Sequence, residues 1–270
     1  PESKKWRLFT VLHRYKISLC APAYRAHLGN RLYDSADEAC GGYTWELILV
    51  GPNEPPEDLK DKPNFKFFRD YGSPSRCAQI ATSLAEGEFM MFAADDGYFM
   101  KDSIEECLDM FDENSSQNDI VIARLTEGKD HTGEWFEDSY WKAWTHPDLR
   151  LPGIDKEFYI TLLSICRLDY YRYLGGLECA FEHINMNLHD FAFRAQHDGA
   201  TIEFSPSLVL NCDWSYLHED HQPVQQAYQE NDRNLLAHFY SQPCPEGITI
   251  DYFNWIFSDS VWKRRFGDKK

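Results

Sequence analysis

The residues best suited to chemistry are two adjacent acids, Asp95 and Asp96, in the stretch FMMFAADDGY at residues 89–98. Two ionised carboxylates side by side repel each other, and a bound cation would relieve that repulsion. Carboxylate oxygens are hard ligands of the kind that Mg²⁺ and Mn²⁺ take. Acids also turn the chain after a strand, so a simple turn before Gly97 is the competing interpretation. The pair predicts either a cation site or a turn.

The strands that would position these acids can be predicted from hydrophobic spacing. Five short apolar runs have the length of strands and are bounded by polar or turn residues, at 17–21, 45–50, 65–68, 88–93 and 119–123. Later apolar runs fall at 158–166, 201–204 and 208–210. The two acids therefore follow the fourth predicted strand.

Segments with helical spacing lie between the strands. One helix is predicted to begin with Ser73 as its N-cap and Pro74 in its first position. A second is predicted from a capping box of Asp102 and Glu105, and a third over residues 187–198. Alternating strands and helices indicate a mainly parallel sheet, covered on both faces, that binds ligands beyond the carboxyl ends of its strands.

Composition excludes several classes of partner. The chain has 270 residues, a formal net charge of −17 and a sequence pI of about 4.9, so its surface should repel nucleic acid and anionic membranes. No apolar run approaches the ~20 residues of a membrane span, and residues 1–16 are too polar for a signal peptide. The eight cysteines show no CxxC spacing, which favours reduced, buried thiols. We expect a single soluble domain in the cytoplasm.

The order of several motifs resembles that of a known family. These motifs are ISLCAPAYR (17–25), WELILVG (45–51), SPSRCAQIATSLAEGEF (73–89), FAADDG (92–97) and HDFAFRAQHDG (189–199). The chain resembles inverting glycosyltransferases of family 2, with the GT-A fold. The resemblance implies a Rossmann-like, mostly parallel α/β sheet with helices on both faces, in a single domain over residues 1–270. Its implied parts are a nucleotide-sugar-binding half at about 15–125, an acceptor half at about 126–215 and a C-terminal extension at 216–270.

The family's activity implies a metal. Such enzymes move a sugar, typically a hexose, from a UDP- or GDP-sugar to a carbohydrate or other hydroxyl acceptor in glycan or polysaccharide synthesis. Mn²⁺ or Mg²⁺ stabilises the diphosphate leaving group. The usual motif is Asp-x-Asp-Asp or Asp-x-Asp, whereas this chain has Ala93 in the first position. The resemblance implies that Asp95 holds the metal, and that Asp96 either supports this metal site or contacts the ribose or diphosphate. It also implies that a late histidine, His221 or secondarily His218, reaches the metal or phosphate; an ordinary surface histidine is the alternative.

A general base is also implied, because the acceptor hydroxyl must lose its proton. The family places an acid pair ahead of a helix that carries Asp-x-x-x-Arg, and Asp190 and Arg194 match that spacing. The acid pair itself would fall on Asn187 and Leu188. Asp190 is therefore the first candidate for the base and Glu182 the second. A structural ion pair between Asp190 and Arg194 is the alternative.

The resemblance implies further contacts with both substrates. The first predicted strand leads into the segment where base and ribose contacts begin, and Asn53 could hydrogen-bond the base. Arg76 is expected to meet either the diphosphate, helped by the helix N-terminus, or solvent. The implied nucleotide-sugar contacts are Pro22, Ala23, Tyr24, Arg25, Asn53, Arg76, Ala94, Asp95 and Asp96. The aromatic rings expected to stack on an acceptor sugar, or else to be core, are Trp135, Trp141 and Trp144.

Two other functions remain open from the sequence. A catalytically silent protein that keeps the fold and binds sugar nucleotides would explain the absence of the first Asp and of the acid pair. A nucleotidyltransferase would lack its usual Gly-rich, basic N-terminal loop. No P-loop or GxGxxG motif supports a kinase or a dehydrogenase.

Overall fold

The computed structural model describes residues 13–111, 115–127, 159–178, 180–212 and 222–240. The strands are β1 (Tyr15–Pro22), β2 (Trp45–Gly51), β3 (Phe65–Arg69), β4 (Gly87–Phe92), β5 (Gly97–Phe99), β6 (Ile120–Glu127), β7 (Ser164–Arg167) and β8 (Ile202–Cys212). The helices are α1 (Gly29–Ala39), α2 (Glu57–Lys60), α3 (Pro74–Leu84), α4 (Ser103–Asp109), α5 (Leu168–Tyr173), α6 (Ile184–His197), α7 (Gln222–Ala227) and α8 (Arg233–Tyr240), with a π-helical turn at Tyr228–Asp232.

The eight strands form one sheet in the order β3-β2-β1-β4-β7-β6-β8-β5. Its first four strands are parallel, with Leu19 of β1 opposite both Leu47 of β2 and Met91 of β4. Every residue of β2 is buried, as expected for a central parallel strand covered on both faces. The prediction of a mainly parallel sheet is therefore confirmed for these four strands.

The other half of the sheet is mixed. Strand β7 is antiparallel to both β4 and β6, β8 is parallel to β6, and β5 is antiparallel to β8. The two apolar runs predicted at 201–204 and 208–210 belong to the single strand β8. Register shifts around Arg124, where β6 pairs with β8, explain why the alternation breaks between these runs.

Helix starts were predicted with mixed success. Ser73 caps α3 as predicted, because its Oγ accepts a hydrogen bond from the main-chain N–H of Arg76 at 3.2 Å. The capping box of Asp102 and Glu105 is wrong. Asp102 has a left-handed backbone (φ 61°) and makes no side-chain cap, while the carboxylate of Glu105 accepts from the main-chain N–H of Gly42 at 3.5 Å.

Two apolar clusters pack on opposite faces of the sheet. In β1, Ile17, Leu19 and Ala21 belong to one cluster, and Cys20 between them belongs to the other. The six cysteines in the described residues are free and buried, as predicted. Within the described ranges, no helix has both the length and the apolar character needed to cross a bilayer.

Candidate active site

The carboxyl ends of the parallel strands meet at one edge of the sheet. Beyond the strands, the main-chain N–H of Ala23 donates to Val50 at 2.8 Å, that of Asp70 to Gly51 at 3.1 Å and that of Ala93 to Cys20 at 2.9 Å. These bonds tie the loops that follow β1, β3 and β4 to neighbouring strands. The loops after β1 and β4, which carry Arg25, Asp95 and Asp96, therefore lie along a single edge.

Gly51 permits the closest approach at this edge. A Cβ atom on Gly51 would lie 1.9 Å from the carbonyl oxygen of Ala23. No side chain fits between two backbones at that distance, so only glycine allows the end of β2 to pack against the loop after β1.

Arg25 binds both Asp95 and Asp96. Its main-chain N–H donates to Asp95 Oδ2 at 2.6 Å. Its guanidinium Nη1 lies 3.3 Å from Asp95 Oδ1 and 3.4 Å from Asp96 Oδ2. The acids therefore face the loop after β1, which was predicted to contact the nucleotide, and they do more than turn the chain.

Burial makes Asp95 costly to ionise. It raises the pKa of Asp95 from its ordinary 3.8 to about 6, and the negative charge of Asp96 adds to that rise. The hydrogen bonds and the charge from Arg25 lower the pKa in part. A cation at this edge would favour the ionised form.

Arg31 supports the same loop from α1, a helix that the sequence analysis did not predict. Its guanidinium donates a short hydrogen bond to the main-chain oxygen of Asp96. It also lies over the ring of Tyr98, with 5.8 Å between its Cζ and the ring centroid. The apolar spacing of Leu32, Ala36 and Ala39, all buried, was the available signal for this helix.

The loop after β1 exposes an aromatic ring at the site. The side chain of Tyr24 is 58% exposed. The side-chain amide of Asn53 donates to the main-chain oxygen of Tyr24 at 2.7 Å, which fixes this loop against the end of β2. Asn53 has an observed structural role, and its predicted contact with the base stays a prediction.

Arg76 is held by another acid. Its Nε lies 3.0 Å from Asp70 Oδ1 and 3.2 Å from Oδ2, and its Nη2 lies 3.1 Å from Oδ2. The same Oδ1 accepts from the main-chain N–H of Gly72 at 2.7 Å. The predicted partner of this guanidinium was a diphosphate or solvent, and its contact with Asp70 was not predicted. The diphosphate contact stays a prediction.

Asp190, the first candidate for the base, forms the ion pair that its spacing allowed. Its Oδ2 lies 2.9 Å from both Nε and Nη2 of Arg194, and its side chain is 1% exposed. Arg194 also donates to the main-chain oxygens of Leu174 and Gly176. This pair anchors α6 to the loop before it.

Glu182, the second candidate, precedes α6 and is held from two sides. Its main-chain oxygen accepts from Ser75 N in the first turn of α3 at 3.3 Å. The main-chain N–H groups of Glu182 and His183 both donate to Asp232 Oδ2, at 2.9 and 2.6 Å. Burial raises the pKa of Asp232. Asp232 was missed by the sequence analysis, because its segment has no clean periodicity.

The remaining predicted residues, His218, His221, Trp135, Trp141 and Trp144, lie outside the described residues. Within the described parts of the chain, no group of three or more His, Cys, Asp or Glu residues could hold a metal. The donor set of Asp95 and Asp96 nevertheless fits a divalent metal that takes its other ligands from a substrate, since one or two carboxylates plus phosphates are the usual Mg²⁺ set.

Comparison with known proteins places the fold. No protein-family model and no curated protein matches the chain. Among solved structures, S. aureus TarS has a TM-score of 0.57 at 18% identity over 83% of this chain, and the chain covers only 39% of TarS. The structure of TarS residues 1–349 with UDP-GlcNAc has a TM-score of 0.58 at 16% identity, over 83% of this chain and 66% of that one. Another structure of TarS residues 1–349 has a TM-score of 0.55 at 16% identity, over 92% of this chain and 82% of that one.

TarS is a family 2 glycosyltransferase with the GT-A fold. The likeness confirms the predicted GT-A fold class for this chain, as a single α/β sheet with helices. At these identities it establishes the fold alone.

Proposed function

We propose that this protein is a metal-dependent, inverting glycosyltransferase. It moves a sugar, expected to be a hexose, from a nucleotide-diphosphate donor to a hydroxyl acceptor. One observation carries the proposal: Asp95 and Asp96 lie together beyond the carboxyl end of β4, facing Arg25, in a fold similar to that of TarS. Among the solved structures of TarS residues 1–349, one is a complex with UDP-GlcNAc and another is a complex with UDP.

The donor would bind along the carboxyl edge of the parallel strands. The exposed ring of Tyr24 offers a stacking surface for a base, and Arg25 offers a guanidinium for phosphate oxygens. Asp95 and Asp96 would hold Mn²⁺ or Mg²⁺. When bound, that metal would supply positive charge to a diphosphate leaving group.

Glu182 is the better-placed candidate for the general base. The carboxylate of Asp190 is already bound by Arg194, so accepting a proton there would break an ion pair. Glu182 lies beside the first turn of α3, and its main chain is fixed by Asp232. A fixed main chain holds a base in one place relative to the acceptor hydroxyl.

Calorimetry with UDP- and GDP-sugars, with and without Mn²⁺, tests the donor assignment. We expect metal-dependent binding of at least one sugar nucleotide, followed by release of the nucleoside diphosphate when hydroxyl acceptors are added. Binding of a sugar nucleotide without release of the diphosphate, whichever acceptor is added, would favour a catalytically silent binding protein. Two observations are consistent with that alternative: Ala93 stands in the first position of the metal motif, and Arg25 already pairs with both acids. No binding of any sugar nucleotide would contradict the proposal.

A further inference from the structure

Arg25 already places a positive charge where a metal would be held. Its Nη1 lies between the carboxylates, 3.3 Å from Asp95 Oδ1 and 3.4 Å from Asp96 Oδ2. Its main-chain N–H binds the second oxygen of Asp95 at 2.6 Å. A divalent cation that used Oδ1 of Asp95 and Oδ2 of Asp96 would compete with the guanidinium for the same two atoms.

All three charged groups are largely shielded from water. The side chains of Arg25, Asp95 and Asp96 are 14%, 12% and 9% exposed. Because screening is weak at such positions, a metal added beside an unmoved guanidinium would be repelled by it. The geometry therefore favours an exchange of cations over the addition of a second one.

We infer that Arg25 is an internal counter-ion that the donor displaces. In the free protein its guanidinium neutralises part of the negative charge of Asp95 and Asp96. When a nucleoside diphosphate arrives with its metal, the guanidinium turns to the phosphate oxygens, which it can bind in the same bidentate way as carboxylates, and the metal takes its place on the acids. This inference rests on the proposed function, because it assumes that metal and diphosphate meet at these acids.

The exchange would couple the binding of metal to the binding of nucleotide. Metal binds the free protein weakly, because it must break the ion pairs of Arg25 with Asp95 and Asp96. With the diphosphate present, Arg25 has a new partner and the metal binds tightly. Metal and nucleotide therefore each increase the affinity of the protein for the other, and Arg25 contributes part of this coupling free energy.

Titration of Mn²⁺, followed by its electron paramagnetic resonance signal, tests the first step without any turnover. Arg25→Met should bind Mn²⁺ about tenfold more tightly than the wild type in the absence of nucleotide. The matched control is Arg69→Met, which removes an exposed arginine at the end of β3 that pairs with Glu54. The control should stay within about twofold of the wild type, since exposed charges are screened. Equal Mn²⁺ affinity in Arg25→Met and the wild type would overturn the inference.

Repeating the titration with UDP tests the second step. The ratio of Mn²⁺ dissociation constants without and with UDP should be about tenfold smaller in Arg25→Met than in the wild type. An equal ratio in both proteins would overturn the exchange. Arg25→Gln keeps side-chain N–H donors and loses the charge, so it gives the same expectation if the Met variant does not fold. Failure of UDP to bind any of these proteins would count against the proposed function, while the nucleotide-free titration still decides the role of Arg25.

Discussion

The carboxylate of Asp190 lies 2.9 Å from the guanidinium of Arg194, one turn further along α6, and is almost completely buried. The same guanidinium binds two carbonyl oxygens of the preceding loop, at Leu174 and Gly176. An acid in this position ties α6 to the loop before it. Its removal should therefore affect folding more than proton transfer.

Asp190→Asn should lower the free energy of unfolding by about 3 kcal/mol or more, because it leaves the buried charge of Arg194 without its partner. Urea unfolding measures this change. Asp169→Asn is the matched control, since Asp169 and Arg172 form an exposed helical pair at 3.8 Å. The control should cost less than about 0.5 kcal/mol. Similar losses in the two variants would show that the buried pair contributes no more than a surface pair.

Glu182→Gln should reduce turnover of the bound nucleotide sugar by about 10²- to 10⁴-fold, because glutamine cannot accept the acceptor's proton. Donor affinity, measured by calorimetry, should stay nearly unchanged. Glu178→Gln is the control, since Glu178 is a second buried glutamate in the same segment and a glutamine oxygen can still accept from the N–H of Ala180. A fully active Glu182→Gln alongside an inactive but folded Asp190→Asn would return the base to Asp190.

Gly51→Ala should disrupt the site from the backbone. The added Cβ would lie 1.9 Å from the carbonyl oxygen of Ala23, so either β2 or the loop that carries Tyr24 and Arg25 must move. We expect a loss of more than about 2 kcal/mol in the free energy of unfolding, together with weaker nucleotide binding. Gly42→Ala is the control, because nothing lies within 4 Å of its Cβ position. Wild-type stability and binding in Gly51→Ala would disprove this tight approach.

Asp95 makes stability depend on pH. Its pKa is raised from 3.8 to about 6, so folding favours the protonated form, and this contribution, present below about pH 4, is lost as pH rises through about 6. Asp95→Asn, which resembles the protonated acid, should be more stable than the wild type at about pH 8, by at most about 3 kcal/mol. The difference should vanish near pH 3.5 on the same principle. A pH-independent difference for Asp95→Asn would contradict the shift.

The sequence predicted the parallel half of the sheet because strands buried on both faces are continuous apolar runs, as β2 shows. It did not predict β5, whose three residues are too few to form a pattern. The joining of 201–204 and 208–210 into β8 depends on a register shift against β6, which is a property of the pair of strands.

The position of the candidate site could be predicted from the sequence, but its side-chain contacts could not. The ends of β1 and β4 meet at one edge because of topology, so the loop after β1 and the two acids were expected to be neighbours. Arg25 forms ion pairs with Asp95 and Asp96, which follow it by 70 and 71 positions in the sequence. Such pairs depend on side-chain geometry, which cannot be inferred from sequence spacing. The same holds for Asp70 with Arg76 and for Asp232 with Glu182.

The proposed donor site of a glycosyltransferase depends on a metal held by Asp95 and Asp96. The most direct measurement is Mn²⁺-dependent release of nucleoside diphosphate from a sugar nucleotide by the wild type, Asp95→Ala and the exposed control Asp61→Ala. We expect release by the wild type and the control, and its loss in a folded Asp95→Ala. Unchanged Mn²⁺-dependent release in Asp95→Ala would rule out this assignment of the metal site.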